Sequence, residues 1–194
     1  MPENPLDRVN ADPVETVLEA LRACNAAPSF AATVATGRPY ESADALVARA
    51  EAVSRALPWP EVTAALAAHP RIGDRVEGAS AEAAASRREQ SAMGTAEASV
   101  RAAIADGNRA YEERFDQVFL IRAAGRSPAE ILAELQRRLA NSADDERAEV
   151  TEQLAQITAL RVRGLVSATA TGERASQGAP ATEERDESGV EAVN

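Results

Sequence analysis

The sequence predicts an all-α fold: a single-domain bundle of seven or eight helices, followed by a disordered C-terminal tail. Three observations carry this expectation. Apolar residues recur at helical spacing along most of the chain. Aromatic residues make up only 3% of it while alanine is abundant, a balance that favours helix over strand. Helix starts and stops are marked by small polar residues, prolines and glycines. With 194 residues, 45% of them hydrophobic, one domain can bury a core of its own.

The elements follow in order. Asp12-Pro13-Val14-Glu15 reads as a capping box with proline at the first helical position, and Val14, Val17, Leu18 and Leu21 form the stripe behind it. Ser42 caps a second helix, in which Leu46, Ala50, Val53 and Leu57 repeat at helical spacing. Pro58-Trp59-Pro60 breaks it, and a short helix from Glu61 to Ala68 stops at His69-Pro70. Arg71 to Ala79 contains two glycines and reads as a loop. A helix from Ser80 to Met93 is stopped by Gly94, and a longer one runs from Ala96 to Phe115. Val118-Phe119-Leu120-Ile121 is the one strand-like run. Ser127-Pro128-Ala129-Glu130 is a second capping box, opening a helix with Ile131, Leu135 and Leu139. Ser142 and Asp145 start the last helix, which runs to Leu165. From Ser167 the chain is polar and acidic, so the expected division is a helical domain over 1–166 and a disordered tail over 167–194.

Composition also excludes function classes. A net charge of −10 argues against a general nucleic-acid binder and against an anionic membrane surface. No apolar run is long enough for a membrane span, and no basic-then-apolar leader is present, so a cytoplasmic location is expected. A single cysteine, Cys24, leaves no intramolecular disulfide, and a single histidine, His69, leaves no His-rich metal centre; no metal site is expected. Lysine is absent, which excludes Schiff-base chemistry on this chain.

Polar residues on faces that should be apolar are the candidates for function, because burying them without partners is costly. On the last helix Val150, Leu154, Ile157 and Leu165 share a face, and Arg161 falls in the middle of it. Its guanidinium cannot lose its proton, so an anion should meet it. Ser86, Glu89, Gln90 and Met93 share another face, one that suits a pocket sorting hydrogen-bond donors from acceptors. His69 follows the stripe of Val62 and Leu66 to the end of its helix. The helix terminus and any nearby carboxylate favour the imidazolium, a proton donor near neutral pH. Taken singly, each feature is better explained by a structural ion pair, a solvated face or a satisfied core histidine.

Read together, these sites carry a resemblance. Ala68-His69-Pro70-Arg71-Ile72-Gly73-Asp74, followed by Ser86-Arg87-Arg88-Glu89-Gln90-Ser91, resembles the paired signature of the 2-oxo-4-hydroxy-4-carboxy-5-ureidoimidazoline (OHCU) decarboxylases. Asn108-Arg109-Ala110-Tyr111-Glu112-Glu113-Arg114-Phe115, Ile157-Thr158-Ala159-Leu160-Arg161-Val162 and Arg38-Pro39-Tyr40 also match family segments, in order and over residues 14–166. The chain departs from the family at Phe115-Asp116-Gln117-Val118-Phe119, where Phe-Gly-Phe-Pro-Phe is frequent.

The resemblance implies an all-α homodimer without metal or organic cofactor. It implies a small-molecule substrate, OHCU, decarboxylated to (S)-allantoin in the last step of urate degradation. Carried over by motif, the catalytic residues are His69, Glu89 and Arg161. Substrate contacts fall on Pro70, Ser86, Arg87, Arg88, Glu89, Gln90, Phe119, Leu120, Ile121, Arg122 and Ala123. The expected roles are His69 as general acid or base, Glu89 orienting His69 and binding substrate N–H groups, and Arg161 meeting anionic oxygen. Two other readings stay open on the residues: an enzyme of this fold acting on a different ureido or imidazoline acid, and a non-enzymatic helical interaction protein.

Overall fold

The computed structural model describes residues 4–74 and 80–167. Among them are nine α-helices: α1 (Pro5–Ala11), α2 (Val14–Cys24), α3 (Phe30–Ala35), α4 (Ala43–Arg55), α5 (Trp59–Leu66), α6 (Ala81–Glu89), α7 (Ala98–Phe115), α8 (Pro128–Arg138) and α9 (Ala143–Ser167). A short 3₁₀ turn, Ser91–Thr95, follows α6, and no strand is present among the described residues. The all-α expectation holds, with more helices than expected. The loop expected over 71–79 is described only as far as Asp74; of the tail expected over 167–194, Ser167 belongs to the last helix and the rest lies outside the described residues.

The caps are where small polar residues put them. Ser42 Oγ accepts from Ala45 N at 3.1 Å, Ser80 Oγ from Ala83 N at 3.1 Å, and Ser142 Oγ from Asp145 N at 3.2 Å. At Ser127 the full reciprocal capping box forms with Glu130. The box expected at Asp12–Glu15 does not. Asp12 closes α1, and Pro13 precedes α2 without a side-chain cap. Helix α1 has its own start signal in Asn4, whose side chain accepts from Leu6 N, and in Pro5 at the first position. Helix α3, at six residues, is too short to show a period. Helix α5 begins two residues earlier than expected, because Pro60 sits in the first turn, where no N–H is needed. Helix α6 ends at Glu89 rather than Met93. Among the described residues Val118–Ile121 has no strand to pair with, and Phe119, Leu120 and Ile121 are buried among helices instead.

The core divides into two clusters. One gathers the apolar faces of α1–α5 and α9, including Leu21, Phe30, Leu46, Val62 and Leu154. The other lies between α7 and α8, with Ile104, Tyr111, Ile131 and Leu135. The segment after α7 is the seam, since Leu120 packs into the first cluster while Phe119, Ile121 and Ala123 pack into the second. Polar groups inside the first cluster are satisfied. Asn25 Nδ2 donates to Thr158 Oγ1 at 2.9 Å and to Ser54 Oγ at 3.2 Å, while its Oδ1 accepts from Ala27 N. That trio ties the end of α2 to α4 and α9.

Candidate active site

The site forms where α5, α6, α9 and the seam meet. Helix α5 ends just before His69, whose N–H bonds to Leu66 O at 2.9 Å, and Pro70 prevents the helix from resuming. The imidazole is buried, 8% exposed. Its Nδ1 lies 2.9 Å from Ala65 O. A carbonyl can only accept, so Nδ1 carries the proton and Nε2 is left with a lone pair. Nε2 is buried and has no hydrogen-bond partner among the described residues.

Arg161 comes from the inward face of α9, with its side chain 3% exposed. Its Nε and Nη2 donate to the two oxygens of Glu89 at 2.8 and 2.9 Å, and Nη2 also reaches Ser86 Oγ at 3.2 Å. The sequence placed Arg161 on an apolar stripe and Ser86 and Glu89 on one face of α6; the fold joins the two faces in a bidentate ion pair. Nη1 is buried with no hydrogen-bond partner among the described residues, 3.8 Å from Glu82 Oε1. Burial works against the Arg161 charge, but the hydrogen bonds and charge of Glu89 more than offset it and hold the pKa above its ordinary value. Burial raises the pKa of Glu82.

These groups face a cavity of about 20 Å³ lined by His69, Pro70, Ile72, Ser86, Glu89, Gln90, Phe119, Leu120, Ile121, Ala123, Ile157 and Arg161. Gln90, one of its lining residues, accepts from Gly73 N at 3.0 Å. From α7, Asn108 Nδ2 donates to Ile72 O at 3.0 Å and holds the same stretch of chain. A second, open groove of about 740 Å³ lies between α2, α6 and α9. It touches Glu89 and Arg161 but not His69, and its wall is largely alanine and leucine. Cys24 lies in that wall, and burial pushes its thiol up to about 11, so it is not a thiolate near neutral pH.

Residues 10–163 match the family model described as OHCU decarboxylase. The chain belongs to the OHCU decarboxylase family. It is 31% identical over 160 residues to the 2-oxo-4-hydroxy-4-carboxy-5-ureidoimidazoline decarboxylase of Amia calva, a match spanning 81% of this chain and 90% of that one. Among solved structures it resembles an OHCU decarboxylase crystallised in the presence of (S)-allantoin, with a TM-score of 0.67 and 25% identity over 77% of this chain and 99% of that one. It shares the fold of an (S)-allantoin synthase, with a TM-score of 0.63 and 16% identity over 83% of this chain and 54% of that one.

Most of the residues that the family resemblance singled out converge on the small cavity. Arg87, Arg88 and Arg122 do not line it. Arg88 lies on the larger groove, and Arg122 turns its backbone N–H to Gln153 Oε1 at 2.9 Å. Two expectations for His69 need correction. Glu89 does not orient it, because the carboxylate is taken by Arg161; the Ala65 carbonyl does. Nor is it an imidazolium near neutral pH. Burial, reinforced by the charge of Arg161, lowers its pKa to about 4, and the Ala65 bond and Glu89 only partly oppose this. Ile72 and Ile157 line the cavity as well. Both belong to the matched motif segments but were not expected at the site, because an apolar side chain there gives no chemical signal in sequence.

Proposed function

We propose that this family member decarboxylates OHCU to (S)-allantoin as a carbon–carbon lyase, with His69, Glu89 and Arg161 acting on the substrate. The observation that carries the reading is the convergence of these three residues, from α6, α9 and the end of α5, on one buried cavity in a chain of this family.

The chemistry follows from the substrate. Its name places a hydroxyl and a carboxylate on one ring carbon, beside the carbon that bears the ureido group. As CO₂ leaves, the electron pair of the broken C–C bond passes into the ring C=N system, and the ring nitrogen takes a proton from solvent. The substrate is its own electron sink, so no cofactor has to supply one. The enol that remains becomes allantoin when its hydroxyl proton leaves, the C–O bond becomes a carbonyl, and the ureido-bearing carbon gains a proton. A single base that takes the first proton and returns it on one face performs both transfers and sets one enantiomer. Neutral His69, with Nδ1–H held by Ala65 and Nε2 unpartnered, has the right form for this. Arg161 offers its unpaired Nη1 donors to anionic oxygen. Glu89 neutralises much of that charge, which keeps the site from binding the ground-state carboxylate too tightly. Ser86 and Gln90 fix the ring.

The cavity is about the size of one water, so the substrate enters by parting its walls. Homodimerisation and a cytoplasmic location belong to the same proposal; sedimentation velocity and cell fractionation test them. The activity is tested by converting urate in situ with uricase and the hydrolase that follows it, then adding the purified protein while circular dichroism is recorded. Rapid growth of one enantiomer's signal above the spontaneous background is expected. A folded sample that leaves the background unchanged overturns the reading and favours a different ureido acid.

A further inference from the structure

The wall formed by residues 119–123 has no regular secondary structure, yet it supplies Phe119, Leu120, Ile121 and Ala123 to the cavity. Its backbone is held by two side chains outside the site. Arg138 Nη1, from the end of α8, donates to Leu120 O at 2.8 Å. Gln153 Oε1, from α9, accepts from Arg122 N at 2.9 Å. These groups are two residues apart, the spacing at which extended backbone presents one edge. Between them, Ile121 makes no backbone hydrogen bond among the described residues.

Arg138 is built into place. Its side chain and that of Glu146 are each 1% exposed. Nε and Nη2 donate to Glu146 Oε1 at 2.9 and 2.5 Å. Tyr111 donates to the same oxygen, and Asn141 Nδ2 donates to the other at 2.8 Å. The guanidinium also lies 4.7 Å from the centre of the Phe119 ring. A buried ion pair is weak support for stability by itself. Here its spare N–H is spent on a cavity-wall carbonyl.

We infer that Arg138 and Gln153 are positioning residues, clamping one edge of the 119–123 backbone so that its other edge and its side chains meet the substrate in register. The inference rests on the decarboxylase reading. Neither residue touches the cavity, so each acts through the wall it holds.

The test uses full-length wild type and three variants in the coupled assay. Gln153→Leu removes the acceptor, and Gln153→Glu restores one. Arg138→Met combined with Glu146→Gln removes the clamp without stranding a buried charge, and the new amide can still accept from Tyr111. For Gln153→Leu and for the double variant, KM rises about tenfold while kcat changes less, as expected for a lost positioning hydrogen bond; Gln153→Glu returns KM to near wild type. Hydrogen exchange of a peptide covering 117–124 speeds up in the same two variants. A merely structural role would lower the active fraction and leave KM alone. Folded Gln153→Leu with wild-type KM and unchanged exchange overturns the clamp, whether or not the double variant folds. Inactive wild type instead overturns the decarboxylase reading, and the exchange comparison still decides the clamp.

Discussion

His69 Nε2 sits buried without a partner among the described residues, an arrangement that costs stability and suits a proton carrier. If it moves the proton in both transfers, His69→Asn keeps a polar side chain of similar reach but lowers kcat by about 10²–10⁴-fold, the usual worth of positioned acid–base catalysis. The check is turnover in the circular-dichroism assay with the far-UV spectrum unchanged. A folded His69→Asn at near-normal rate removes histidine from the mechanism. Arg161 is a different case, because its charge is already matched by Glu89 at two hydrogen bonds. Removing either partner strands a buried charge, so loss of activity in such variants has to be separated from loss of fold.

Among the elements, the close approach of α7 to α8 depends on Gly107. A Cβ there would lie 2.5 Å from Leu135 Cδ2 and 3.1 Å from Leu135 Cγ, and Leu135 is fully buried. Two effects oppose each other in Gly107→Ala. Helix propensity gains about 1 kcal/mol, while overpacking a filled core costs about 1–3 kcal/mol. Because Leu135 has no room to yield, overpacking wins and the variant is less stable, which urea titration reads directly. A rise in the denaturation midpoint would show that α8 can shift freely. The same packing matters to the site, since α8 carries Arg138 to the Leu120 carbonyl.

Across the molecule, His69 couples the site to stability. Its folded-state pKa, about 4, lies below the ordinary 6.5. Between these values the unfolded chain binds a proton that the folded protein does not. Stability from this group is therefore complete above about pH 6.5 and is lost as pH falls towards 4. Thermal unfolding across that window should show a steeper fall for wild type than for His69→Asn, in which the group is absent. Equal slopes would mean that the imidazole protonates as easily in the folded protein as in the unfolded chain. Carboxylates held low by arginine, such as Glu152 at about 2 beside Arg55, add a slope at lower pH that both proteins share.

Periodicity and capping are local, so the helical class, the caps at Ser42 and Ser127, the helix starts at Ser80 and Ser142, and the polar residues His69 and Arg161 on apolar stripes were all legible before folding. Short elements escaped that reading. Helix α3 offers too few turns for a period, and Asp12-Pro13 serves equally as the end of one helix or the start of the next. The family resemblance in the motifs named His69, Glu89 and Arg161 as partners, but how they meet depends on packing between distant segments. Burial and the Ala65 carbonyl, neither of which a motif displays, make His69 a neutral acceptor rather than a cation. The buried Arg138–Glu146 pair was missed for the same reason. On a sequence, arginine and glutamate eight residues apart look like solvated surface, and only folding shows them sealed beneath the cavity wall.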